Sequence, residues 1–347
     1  MTETKDKVSG GSDMKRLSMI PAVVISAIIC TAVYAEQKPE EILKAVVKVH
    51  AVIPSDAVTA PMLGTEREGN GVLIDSEGHI LTIGYLVLEA ETIEVFGPDN
   101  KGVDATFVGY DYDTGFGLLR ANTPLNVKPM KLGSSSKLKE GEPALVAGYG
   151  GSDAVLGVRV VSRGEFAGYW EYLLDNAIFT APPYQNYGGA ALIGADGALL
   201  GIGSILTQTT VSGFGSIAAN MFVPVDLLKP ILDDLITSGK SRQSQKPWLG
   251  LHTDISHGRL FVIRIVPGSP AEKANLQVGD LILKVNNQPV KGLADFYRKV
   301  WGLGKAGVKV PISILRGTEI KEINVLSAGR NQFLKPDTKS KGEKEEI

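Results

Sequence analysis

Residues 266–290 read VPGSPAEKANLQVGDLILKVNNQPV, and each part has a local physical meaning. Pro270–Leu276 is a short helix. Asn275 stands where that helix must stop, and Asn is the best substitute for Gly in a left-handed C-cap. Leu281–Val285 is a strand. Asn286-Asn287 follows, before Gln288-Pro289-Val290, as a tight turn asking for positive φ, which Asn tolerates. Working outward, Leu249–Thr253 and Leu260–Val266 read as strands. Leu293–Trp301 reads as a helix, and Val308–Leu315 and Ile320–Leu326 as two more strands. Together they predict a small α+β module over 247–328, at roughly 80 residues large enough to fold alone.

Upstream, many short strands are punctuated by Gly. Ala45–Ile53 is a β-branched run. Gly71–Asp75 and His79–Thr82 flank the turn Ser76-Glu77-Gly78, a hairpin signal. Ile93–Phe96, Ala105–Gly109, Phe116–Ala121, Ala144–Ala147, Val158–Gly164, Asn176–Thr180, Ala191–Ile193, Leu199–Ile205 and Met221–Val223 follow. Strands without alternating helices predict a mostly β, closed or paired barrel architecture over 36–238. A helix, Val225–Thr237, closes it, with Gly239 as its stop. The polar segment 239–246 is the linker.

The chain has 347 residues, so two folded domains are expected. Its formal net charge of −2 offers no broad basic surface, which argues against nucleic acid as a partner. Cys30 is the single Cys, so a disulfide framework and a Cys-rich zinc site are excluded. No His/Asp/Glu cluster has metal-ligand spacing, and no metal or cofactor is expected. Residues 19–35 are uncharged and apolar, follow Lys15 and Arg16, and end in small residues. They predict a signal peptide over 1–35 cleaved after Ala35, or a membrane anchor if cleavage fails. Met14 is an alternative start. At the other end, 329–347 reads as a charged disordered tail, with 335–347 nearly free of apolar groups.

The segments GNGVLIDSEGHILT (69–82), LGSSSKLKEGEPALVAGYG (132–150), ADGALLGIGS (195–204) and the 266–290 run resemble the HtrA/Do-like serine protease family. The resemblance implies a trypsin-like double β-barrel followed by a PDZ domain, export to the periplasm, and a role in protein quality control. It also implies a homo-trimer built through the first domain. The family's catalytic positions differ here. Tyr85 stands at the His position, Gly115 at the Asp position and Tyr187 at the Ser position, with Gln185 in the oxyanion loop. A phenol titrates near ~10, so Tyr85 would need a shift worth roughly 4 kcal/mol to act as a base at pH 7. The two aromatics are expected to stack and plug the cleft. Four His exist. His50 and His79 read as ordinary strand and hairpin residues, and His252 and His257 fall in the second module. Asp111 and Asp113 read as turn formers, and Ser134–Ser136 as loop.

In the PDZ segment, Trp248-Leu249-Gly250-Leu251 matches the family's carboxylate-binding loop, where backbone N–H groups capture a peptide C-terminus. Leu249 and Leu251, with Phe296 and Val300 from the helix, would line the pocket for the last side chain. The expectation is therefore an exported pseudoprotease, not an enzyme. It would bind a C-terminal peptide or protein partner as a scaffold or regulator. One alternative is a serine endopeptidase with non-standard catalytic residues. The other is a chaperone-like binder of unfolded chains, separated from the first by an aggregation assay.

Overall fold

The computed structural model describes residues 38–242 and 245–333. The first barrel holds β1 (Val46–Val52), β2 (Glu66–Leu73), β3 (His79–Ile83), β4 (Thr92–Phe96), β5 (Gly102–Tyr110) and β6 (Phe116–Ala121). They close in the order β1-β2-β3-β6-β5-β4. The turn between β2 and β3 is built by Asp75, whose Oδ1 accepts from the N–H groups of Glu77 (2.9 Å) and His79 (3.1 Å).

The second barrel holds β7 (Pro143–Ala147), β8 (Val155–Gly168), β9 (Tyr172–Ala181), β10 (Ala191–Ile193), β11 (Leu199–Val211) and β12 (Gly215–Pro224). It closes as β10-β11-β12-β9-β8-β7. Both barrels are antiparallel, as the strand-rich reading requires. Two hairpins run further than expected. The β8–β9 arms reach Gly168 and Tyr172, and the β11–β12 arms reach Val211 and Gly215.

The helix expected over Val225–Thr237 is two pieces. A 3-10 turn spans Val225–Leu227 and an α-helix spans Leu232–Ser238. Pro230 lies between them, and a residue without an N–H interrupts the ladder. The predicted stop is right. Gly239 adopts φ +70 and its N–H bonds Leu235 O at 2.9 Å.

The last module holds β13 (Leu251–Ser256), β14 (Arg259–Ile265), β15 (Leu281–Val285), β16 (Gln288–Pro289), β17 (Lys309–Arg316) and β18 (Glu319–Leu326). The sheet order β13-β14-β15-β17-β18 leaves β13 on an edge. The helix Leu293–Trp301 buries Phe296, Tyr297 and Val300 against it. Asn275, Asn286 and Asn287 all have positive φ, at 58°, 48° and 62°. The short helix stops at Lys273, earlier than Leu276, because Asn275 is already left-handed.

The chain does not loosen at residue 329. Arg330–Gln332 forms a 3-10 turn, and Phe333 packs on Trp248 with ring centroids 4.7 Å apart. An apolar ring finding an apolar partner is enough to order the segment. The expected signal, Cys30 and the charged end of the tail lie outside the described residues.

Candidate functional site

Tyr85 lies in the 3-10 turn Gly84–Leu86 that follows β3. Its hydroxyl donates to Ser204 O at 2.8 Å. Burial pushes its phenol up, and the neighbouring Tyr187 adds to this. Gly115 O accepts from Gly84 N at 2.8 Å, so Gly115 adjoins the residue before Tyr85. Tyr187 is half-buried, Gln185 is exposed, and Tyr187 O accepts from Ala190 N at 3.0 Å. The expected stacking of Tyr85 on Tyr187 does not occur among the described ring pairs. The Tyr85 hydroxyl instead lies over the loop backbone, close to Gly188 and bonded to Ser204 O.

The loop carrying Tyr187 is held by a residue that sequence reasoning missed. Asn70 in β2 is fully buried. Its Nδ2 donates to Asn186 O (2.8 Å) and Gly188 O (3.0 Å). Its Oδ1 accepts from Tyr149 N at 2.8 Å, tying the two barrels at the cleft.

Each His has a local setting. His50 Nε2 faces Glu66 at 3.0 Å, and His79 Nδ1 faces Asp75 at 2.6 Å within its own turn. His252 is pushed down to about 4 by burial and then by Arg264 and Arg330. His257 lies beside Ser256. Asp111 is a turn former, accepting from Thr114 N (2.8 Å) and Thr114 Oγ1 (2.7 Å). Asp113 pairs with Lys246 at 3.2 Å.

The second site is the loop before β13. Gly250 has φ +80, so β13 begins at Leu251 and not at Leu249. This turns three N–H groups to one point. They converge on the side-chain carboxylate of Glu171, from the tip of the β8–β9 hairpin. Leu249 N reaches Oε2 at 2.9 Å. Gly250 N and Leu251 N reach Oε1 at 2.7 and 3.1 Å. Trp248 does not join them, because its N–H bonds Ala328 O at 3.0 Å. Leu249, Leu251, Phe296 and Val300 do form one apolar cluster, and Leu173 from β9 packs into it.

Glu171 is 7% exposed. Burial raises its carboxyl to about 7, against the three N–H groups and Arg330, which pull it down. Tyr297 adjoins it, and Asp111, Asp113 and Lys246 line the same cavity. Between about pH 4.5 and 7 the seated carboxyl therefore favours a proton that a freed one has lost. The proton's contribution to seating is full below about pH 4.5 and disappears as pH rises through about 7. The melting temperature of the wild type relative to Glu171→Gln, which cannot titrate, is expected to fall between pH 5 and pH 8. An offset independent of pH would contradict the assignment.

Two barrels meeting at a cleft, followed by an edge-strand module with a carboxylate loop, define a trypsin-like peptidase domain joined to a PDZ domain. Family models agree: "Trypsin-like peptidase domain" matches residues 69–202 and "PDZ domain" matches 247–326. The periplasmic pH-dependent serine endoprotease DegQ of Escherichia coli is 27% identical over 322 residues, 88% of this chain and 68% of that protein. A probable periplasmic DegP-like serine endoprotease of Pseudomonas putida is 31% identical over 271 residues, 74% of this chain and 55% of its own length. A variant of the HtrA-type protease AlgW with a tripeptide shares the fold. Its TM-score is 0.51 at 22% identity, over 83% of this chain and 94% of that one. The chain is thus homologous to the DegQ and DegP proteases and pairs a trypsin-like peptidase domain with a PDZ domain as they do. These relatives also correct one expectation. The chain was expected not to be an enzyme, whereas its relatives carry the names of serine endoproteases, and the peptidase model covers Tyr85, Gly115 and Tyr187.

Proposed function

We propose that this chain is an exported HtrA-family protein that captures polypeptide C-termini on the N–H groups of Leu249, Gly250 and Leu251. The observation that carries this reading is a carboxylate seated on those three groups. Backbone donors fixed in one direction bind an anion with no side chain to reorganise. The edge strand β13 gives an arriving chain a ladder to extend, and the apolar cluster around Phe296 and Val300 receives its last side chain. Peptides ending in a free apolar residue are expected to bind at about micromolar strength, of order −8 kcal/mol. Amidating the terminus should weaken binding sharply, read by calorimetry. Equal affinity for the acid and the amide would remove the mechanism.

The relatives' names favour a second reading, a serine endopeptidase working with residues other than a Ser-His-Asp set. It predicts that the purified chain cuts casein and that Tyr187→Phe abolishes the cutting. Casein left intact, beside a relative that cuts it, would contradict that reading. Export is supported by the relatives' periplasmic names. N-terminal sequencing of exported protein should begin at Glu36, whereas intact Met1 or Met14 in the membrane pellet would support an anchor.

A further inference from the structure

The carboxylate in the PDZ loop belongs to the chain itself. Three contacts repeat what an arriving C-terminus would make. Glu171 supplies the carboxyl group to Leu249–Leu251. Two residues earlier, Tyr169 O accepts from Thr253 N at 3.0 Å, and Thr253 is two residues beyond Leu251. That is the spacing of a strand adding to an edge, outward from the loop. Leu173 then places an apolar side chain in the cluster of Leu249, Leu251, Phe296 and Val300.

The tip is built to hold this pose. Glu171 has φ +58, a conformation costly for a residue with a Cβ. The buried Tyr297 holds both sides of the turn: its hydroxyl donates to Gly168 O at 2.7 Å and accepts from Glu171 N at 3.1 Å. On the rim, Arg298 reaches Glu165 on one arm and Asp175 on the other, each at 2.5 Å. A carboxyl in an apolar hairpin tip would ordinarily stay in water. Here it is buried on three donors of another domain.

We infer that the tip of the β8–β9 hairpin is an internal surrogate for a peptide C-terminus, so that the PDZ site is self-occupied and a client must displace Glu171. This rests on the carboxylate-capture reading above. An apparent affinity is reduced by the fraction of molecules whose site is open. Removing the surrogate should therefore tighten client binding without adding any contact to the client.

The test is a titration of the full chain with a labelled octapeptide ending in Val, as free acid and as amide. Glu171→Ala removes the carboxylate. Arg298→Glu leaves the carboxylate in place and turns both rim pairs repulsive, which keeps the test open if Glu171→Ala does not fold. Both variants are expected to bind the free acid at least about tenfold more tightly than the wild type, and the amide weakly. Equal affinity of all three chains for the free acid would overturn self-occupancy and leave carboxylate capture standing. Failure of every chain to prefer the acid over the amide would overturn both.

Discussion

Gly250→Val is expected to lose free-acid peptide binding by more than about a hundredfold, roughly 2.7 kcal/mol, and to destabilise the PDZ domain by about 3 kcal/mol. Two costs coincide. Gly250 sits at φ +80, where a β-branched residue is strained throughout. A Cβ there would lie 2.2 Å from Ser269 Cβ and 2.8 Å from Ser269 Oγ. Ser269 cannot yield freely, because its Oγ accepts from Glu272 N (3.3 Å) at the start of the short helix. Relief must come from the 249–251 backbone, which scatters the three donors. Denaturant unfolding and peptide titration read the two effects. A Gly250→Val protein that still prefers the free acid would show that the donors are not where the affinity resides.

Asn70→Ala is the second large effect. One buried side chain makes three hydrogen bonds, two donated to the loop carrying Tyr187 and one accepted from Tyr149 N. Ala takes the side-chain partner from Asn186 O and Tyr149 N, while Gly188 O keeps its bond from Asn70 N at 2.8 Å, and each partner lost inside the structure costs ~1–3 kcal/mol. The expected loss is about 3 kcal/mol, a fall in melting temperature of roughly 8 °C for a domain of this size. A loss below about 0.5 kcal/mol would mean that the loop is held by other contacts.

What was legible in the sequence was local. Asn275 and Asn286-Asn287 announced positive φ because few other residues tolerate it, and the backbone agrees. The Trp248–Leu251 loop was legible as a candidate carboxylate site only through its resemblance to the family's loop, since an apolar run around one Gly reads locally as a plain strand. Pro230 was present as a break, yet the apolar periodicity of 227–235 outweighed it in the reading. The outer ends of the β8–β9 arms were hidden because the exposed Glu165 and Asp175 interrupt their apolar pattern. Glu171 was not legible, because its partners lie about 80 residues further on. No local pattern encodes a carboxylate that fills a site in another domain. Asn70 was overlooked for the same reason, its loop partners being more than a hundred residues away.

Amide hydrogen exchange at Leu249, Gly250 and Leu251 in the full chain tests the account most directly. Without any peptide the three amides should be protected, because Glu171 accepts from all of them. In Glu171→Ala they should exchange fast, and a free-acid peptide should restore their protection while its amide does not. Fast exchange in the wild type, or protection restored equally by the amidated peptide, would contradict it.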